Sequence, residues 1–245
     1  MPAFLVRPED VDGELLVLRA AEAHHIRVRR YRVGEEIDVI DGAGHTYRVR
    51  IGSVARDEVC GHILSCSGAR GESPVQLSLA PALIKGQRFD FAVEKATEVG
   101  VVRIAPLLTE RGVVRPESGN KTARWRRLIE AAAKQCGRSR LPALDEPMTL
   151  EAGIEALKAE TDALLMASPE GGDVDLHAFM QEERPTRPGL LVGPEGGFSP
   201  AERELAHNAG VCVFSWGNRI LRADTASVVL AALVLHEAQE AMTHQ

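Results

Sequence analysis

The chain has 245 residues, 44% hydrophobic and 26% charged, which is ordinary for a globular protein and enough for one large domain or two modest ones. The longest apolar run, Val228–Leu235, is far short of a membrane span, and Met1-Pro2-Ala3-Phe4 lacks the basic-then-apolar pattern of a secretion signal. Cys60, Cys66, Cys136 and Cys212 form no CxxC or mixed Cys/His spacing, so the expectation is free thiols in a cytoplasmic protein with no metal and no membrane association.

Residues 1 to about 70 read as short strands between polar or glycine turns, with candidates at Leu15–Leu18, Glu36–Ile40, Thr46–Ile51 and Val59–Leu64. Asp41-Gly42-Ala43-Gly44 has the composition of a hairpin connection, and the rhythm of the whole fits a small β-barrel. Arg19–Arg32 carries five arginines and two histidines against Glu22 alone. Such a run is either a solvated face or the footprint of a polyanion. The turn-rich stretch Ser67–Pro74 marks a boundary, which divides the chain into domains 1–72 and 73–245.

Past the boundary, strands alternate with helices, and this predicts a mostly parallel α/β sheet. Leu77–Ile84 is a first strand, and a helix follows with Phe89, Ala92, Val93, Ala96 and Val99 on one face. Val101–Leu108 is a second strand, with Pro106 marking a bulge or an end. A longer helix has Trp125, Leu128, Ile129, Ala132 and Cys136 at helical spacing, and Arg124, Arg127, Lys134 and Arg138 opposite them. Ala163–Ala167, Leu190–Val192 and Val211–Ser215 are further strands, the last with Cys212 as a core residue. The net charge of −6 is unevenly spread: residues 1–140 hold 23 Lys/Arg against 18 Asp/Glu, and residues 141–245 hold 6 against 17. A nucleic-acid footprint depends on local charge, so the basic half keeps that reading open.

Two loops carry the chemistry. Leu191–Glu202 runs from a strand through Gly193, Gly196 and Gly197 into a capping box in which Ser199 is the cap, Pro200 the first helical residue and Glu202 the third. Strand, glycine loop and helix together build a small-molecule site at the carboxyl end of a sheet, although a tight connection with no ligand has the same pattern. Trp216–Ala226 follows the next strand, and Val228–Leu235 then forms a helix that is apolar all round, to be buried inside the domain or shared with a partner chain.

Gly193–Glu202 and Trp216–Ala226, together with Lys85–Asp90, Glu94–Gly100, Lys134–Ser139 and His24–Arg30, resemble the bacterial family of 16S ribosomal RNA uridine-N3 methyltransferases, within the SPOUT class. The resemblance covers nearly the whole chain. It implies a PUA-like RNA-binding barrel followed by an α/β trefoil-knot methyltransferase domain, with a homodimer formed through the last helix. S-adenosylmethionine (SAM) is the implied cofactor and 16S rRNA of the small ribosomal subunit the implied partner. The family pattern places SAM among Leu165 and Met166, the turn Gly193, Pro194, Glu195, Gly196 and Gly197, and the loop Trp216, Gly217, Asn218, Ile220 and Leu221. Ile220 and Leu221 also suit ordinary core packing. Trp216, Asn218 and Asp224 depart from the commoner leucine, proline and glutamate of the family.

Uracil N3 is protonated at neutral pH, so its methylation calls for a carboxylate base or a cation that stabilises the uracilate. Arg222 is the candidate cation, and Glu195 and Asp224 are the candidate bases. Asp224 is equally suited to cap the last helix. Arg19, His24, Arg27, Arg30, Arg124 and Arg138 are the candidate RNA contacts. A non-catalytic RNA-binding assembly factor, or a SPOUT enzyme acting on another RNA, remains an alternative.

Overall fold

The computed structural model describes residues 3–114 and 120–243, and the chain divides into two compact units. Met1–Glu72 with Glu130–Leu141 form the first, and Ser73–Ile129 with Pro142–Gln245 the second.

The first unit is built on a six-stranded sheet. In chain order its elements are β1 (Phe4–Leu5), β2 (Val11–Asp12), β3 (Leu15–Arg19), α1 (Ala20–Val28), β4 (Glu36–Ile40), β5 (His45–Val54) and β6 (Glu58–Gly68). The strand order is β1-β4-β5-β6-β3-β2, antiparallel except where β1 joins β4. The long β5–β6 pair shifts register twice, after Arg48 and after Ile51, and such bulges let a sheet coil round its own core. That core gathers Phe4, Leu16, Leu18, Ile26, Ile37, Val39, Val49, Ile51 and Val59. The hairpin expected at Asp41–Gly44 is held by one carboxylate: Asp41 Oδ1 accepts the backbone N–H of Ala43, Gly44 and His45 at 2.8, 3.0 and 2.9 Å. The basic run Arg19–Arg32 contains α1, a helix the strand pattern does not reveal.

The second unit continues with β7 (Ser78–Pro81), α2 (Gln87–Val99), β8 (Arg103–Ile104), β9 (Leu107–Leu108), α3 (Asn120–Cys136), β10 (Ala143–Leu144), β11 (Met148–Thr149), α4 (Leu150–Lys158), β12 (Ala163–Ala167), α5 (Leu176–Glu183), β13 (Pro188–Val192), α6 (Pro200–Asn208), β14 (Cys212–Phe214) and α7 (Ala223–Thr243). Its main sheet is parallel throughout, in the order β10-β8-β7-β13-β12-β14. β13 therefore lies between β7 and β12, so both of its faces need cover. Its five residues are all buried, as a central parallel strand requires. The single strand expected over Val101–Leu108 is two short ones, broken at Ala105-Pro106. α7 packs against α2, α5, β13 and β7, burying Ser227, Leu230, Ala231, Val234 and Leu235. Val228, Val229 and Leu233 stay half-buried and Ala232 exposed.

Residues 130–141 fall within 73–245 in sequence and pack into the first compact unit: Ala3 N–H donates to the Lys134 carbonyl at 2.9 Å, Lys134 Nζ meets Glu22 at 2.6 Å, and Leu141 N–H donates to the Gly42 carbonyl at 2.9 Å. Three expectations need correction. Arg138, a candidate RNA contact, is a buried structural cation: its side chain is 2% exposed and its Nη2 lies 2.8 Å from Glu72 Oε2. Cys136 is exposed rather than on the apolar face of α3; Ala133 takes that place. Cys212 is only half-buried, although burial is still enough to push its thiol upward.

Candidate active site and RNA-binding face

In the second unit the carboxyl ends of β12, β13 and β14 and the start of α7 frame one cleft. Its walls are Ala167–Pro169, Val192–Glu195 with Gly197, Trp216 and Gly217 with Arg219–Leu221, and Ala223, Ala226 and Leu230 of α7.

The glycine loop is held from several sides. A Cβ on Gly193 would stand 3.2 Å from the Phe198 ring, tighter than a side chain tolerates without displacing its neighbour. Gly197 takes a φ of +67° and its N–H donates to the Pro194 carbonyl at 2.8 Å, closing the turn. The expected capping box is present: Glu202 N–H donates to Ser199 Oγ at 3.1 Å, and Ser199 N–H to Glu202 Oε2 at 2.8 Å. Glu202 also accepts the Glu110 N–H at 2.8 Å, and Arg111 Nη1 donates to the Gly196 carbonyl at 2.7 Å. The loop is thereby fixed, and a fixed loop can present a binding surface with little loss of entropy. The Trp216–Leu221 side is more open: Trp216 is 37% and Ile220 82% exposed.

Of the predicted cofactor residues, Gly193, Pro194, Glu195, Gly197, Trp216, Gly217, Ile220 and Leu221 line this cleft. Leu165, Met166, Gly196 and Asn218 do not. Leu165 and Met166 are completely buried inside β12, and it is the residues after the strand end, Ala167–Pro169, that form the wall. This is the general rule for open α/β sheets, and applying it one step further along the chain would have found them. Gly196 turns its carbonyl to Arg111, and Asn218 is exposed beside the wall. The contributions of Arg219, Ala223, Ala226 and Leu230 have no local signature, because α7 reaches the cleft only through tertiary packing.

Of the predicted catalytic groups, Glu195 alone lines the cleft. Its Oε1 lies 3.0 Å from Arg88 Nη1, and both side chains are about half exposed. Arg222 is exposed, its carbonyl accepting the Ala226 N–H at 2.7 Å in the first turn of α7. Asp224 is half-buried and its Oδ1 accepts the Thr225 N–H at 3.0 Å, a helix-start role. Arg88 is a residue the sequence reading left without a role. It opens α2 and lines a second hollow with Leu83, Ile84, Lys85, Gln87 and Val113; Glu195 belongs to that hollow too. Among the described residues no group of three or more His, Cys, Asp or Glu side chains could hold a metal ion, and no helix is long and apolar enough to cross a membrane.

In the first unit α1 buries Ala23 and Ile26 and exposes His24, His25, Arg27, Arg29 and Arg30, with Arg32 just beyond. Arg30 takes a φ of +60° where the helix ends. Among the described residues Arg27, Arg29, Arg30 and Arg32 have no carboxylate partner, and Arg27 Nη2 lies 3.4 Å from His24 Nδ1. Arg19 differs, being paired with Asp10 at 2.8 Å and Glu58 at 3.1 Å. Arg124, in the second unit, is paired with Asp90 at 2.6 Å. Of the candidate RNA contacts, His24, Arg27 and Arg30 are therefore those without a carboxylate partner among the described residues.

Residues 71–235 match the RNA methyltransferase domain family, and residues 18–64 the RNA methyltransferase PUA domain family. Ribosomal RNA small subunit methyltransferase E of Synechocystis is 34% identical over 234 residues, covering 94% of this chain and 76% of its own. The Aquifex aeolicus protein of the same name is 29% identical, covering 93% and 97%. Among solved structures, ribosomal RNA small subunit methyltransferase E of Neisseria gonorrhoeae bound to S-adenosyl methionine superposes with a TM-score of 0.84 at 28% identity, covering 96% of this chain and 97% of that one. A Legionella pneumophila methyltransferase in complex with SAM gives 0.83 at 28% identity, covering 96% and 98%. With both of its domain families matched and its relatives aligned over nearly its whole length, the chain belongs to the ribosomal RNA small subunit methyltransferase E family of RNA methyltransferases.

Proposed function

We propose that this protein transfers a methyl group from SAM to N3 of a uridine in the 16S rRNA of the small ribosomal subunit, acting in the cytoplasm as a homodimer. The observation that carries the reading is the cleft at the ends of β12–β14: two bent loops and the start of α7 surround a space suited to a small molecule, and Glu195 stands on its wall. The residues fit the cofactor. Backbone groups around Gly193, Gly197 and Gly217 suit a planar heterocycle, and Trp216, Ile220 and Leu221 are apolar walls that a ligand would cover. SAM, when bound, supplies a methyl group on a positively charged sulfur, already activated for transfer.

The chain's own task is to prepare the acceptor. Glu195 is the base for the N3 proton, since it is the predicted carboxylate that reaches the cleft. Asp224 serves the start of α7, and Arg222, exposed one residue beyond the Leu221 wall, was expected to carry the acceptor's charge. N3 lies on the Watson–Crick edge, so the uridine must be unpaired or swung out of its stack. Domain 1–72, with the exposed cations of α1, would hold the RNA backbone meanwhile; the roles of Arg27 and Arg30 as phosphate contacts follow from their lack of carboxylate partners. For the dimer, the support is the outward side of α7, where Val228, Val229, Ala232 and Leu233 present apolar surface.

Calorimetry with SAM tests the cleft. The wild-type protein is expected to bind, and Ala226→Phe, which fills the α7 wall, to lose affinity at least tenfold while its thermal melting stays within a few degrees. A wild-type chain without affinity for SAM would turn the reading toward a non-catalytic assembly factor.

A further inference from the structure

We infer that the hollow next to the cofactor cleft seats the acceptor base, and that Arg88 is the cation that carries the base's negative charge during transfer. This rests on the methyl transfer proposed above and assigns its acceptor side.

The two hollows share one residue, Glu195. A group in one and a group in the other would both border Glu195, the adjacency a donor and an acceptor require. The second hollow has the make-up a pyrimidine needs. Leu83, Ile84 and Val113 give it apolar sides, and Gln87, Arg88 and Glu195 give it a polar edge. Val113 is 72% exposed, surface that a seated base would cover.

The Arg88–Glu195 pair is 3.0 Å long with its side chains 50% and 45% exposed. An ion pair so open to water is weak, so an acceptor can rearrange it at little cost. Arg138–Glu72, with side chains 2% and 12% exposed, is the contrasting case of a structural pair. Arg222 lines neither hollow, whereas the Arg88 guanidinium is already at the carboxylate that takes the proton. In the reaction the N3–H bond breaks and its proton passes to Glu195. The N3 electron pair forms the bond to the methyl carbon, and the carbon–sulfur pair stays on sulfur, leaving a neutral thioether. Glu195 then returns the proton to water. The charge that builds on the uracil oxygens as N3 is stripped is met by the Arg88 N–H donors.

The test is single-turnover methyl transfer with Arg88→Ala and Arg88→Lys, on small-subunit RNA carrying uridine or the more N3-acidic 5-fluorouridine. Arg88→Ala is expected to slow transfer to uridine by about 10²–10³-fold, the usual loss for one transition-state donor. Its SAM affinity should stay within threefold of wild type. Arg88→Lys should recover part of the rate, and the fluorinated RNA most of it. Fluorine NMR of that RNA bound with S-adenosylhomocysteine should show N3 ionising at lower pH in wild type than in Arg88→Ala. A wild-type rate in Arg88→Ala, or a loss that neither lysine nor fluorine relieves, would overturn the assignment. A wild-type protein that makes no N3-methyluridine would instead overturn the reading on which it rests.

Discussion

Arg27, Arg30 and Arg138 carry the same charge in the same unit and serve different ends, because their surroundings differ. Arg138 is enclosed and paired with Glu72, whereas Arg27 and Arg30 face water without a carboxylate. Breaking a buried pair leaves an uncompensated charge, so Arg138→Ala should destabilise the protein by about 3–5 kcal/mol in urea unfolding. Arg27→Ala with Arg30→Ala should leave stability nearly unchanged and flatten the salt dependence of RNA binding, since fewer counterions are then released. An unaltered salt slope would remove α1 from the RNA face. The sequence placed all three in basic runs and had no means of separating them, because burial of a single side chain is a tertiary property. The position of Glu195 on the cleft wall was legible for the opposite reason: it is the one charge inside a glycine bend whose geometry is local. Its pairing with Arg88 was not, since it joins residues more than a hundred positions apart.

Among elements, those whose pattern is local were readable and those fixed by distant contacts were not. The capping box of α6, the strands β4–β6 and the end of α2 near Gly100 agree with the pattern, as does the parallel sheet. α1 was hidden by a charge run that masks its two buried positions, and the C-terminal part of α3 joined the first unit through pairs with Glu22 and Glu72 that no window contains. The β4–β5 hairpin gives a test at this scale. Burial pushes the Asp41 carboxyl up, but the His45 backbone and ring and the Ala43 N–H outweigh it and hold it below the usual carboxylate range. A folded value below the unfolded one means that stabilisation is present in full above the ordinary carboxylate value, near 3.8, and is lost as the pH falls through the folded value. Thermal melting followed from pH 6 down to about pH 2 should therefore fall less steeply in Asp41→Asn than in wild type, from a lower starting point. Parallel curves for the two proteins would show that the turn is not held by the carboxylate charge.

For the whole molecule, the division of charge and the last helix carry the account. Residues 1–140 carry a net excess of basic residues and residues 141–245 a net excess of acidic ones, and a polyanion is drawn to a local excess of positive charge. Val228–Leu235 was expected to be apolar all round, and the structure divides it into a buried side and a side that is half-buried at Val228, Val229 and Leu233 and exposed at Ala232. The open side is where the proposed dimer would form. Val229→Glu or Leu233→Glu is expected to give monomers by light scattering, with loss of most methyl transfer; a fully active monomer would sink the dimer proposal. The threading implied by the family resemblance has no counterpart in local pattern, since strand periodicity says nothing of which segment passes beneath another. The measurement that bears most directly on the proposed chemistry is incubation of the protein and methyl-labelled SAM with small subunits from a strain lacking its gene, followed by digestion and mass mapping of the 16S rRNA. One new N3-methyluridine at a single position is the predicted result. Label appearing on a ribose 2′-oxygen, on another base, or not at all would contradict it.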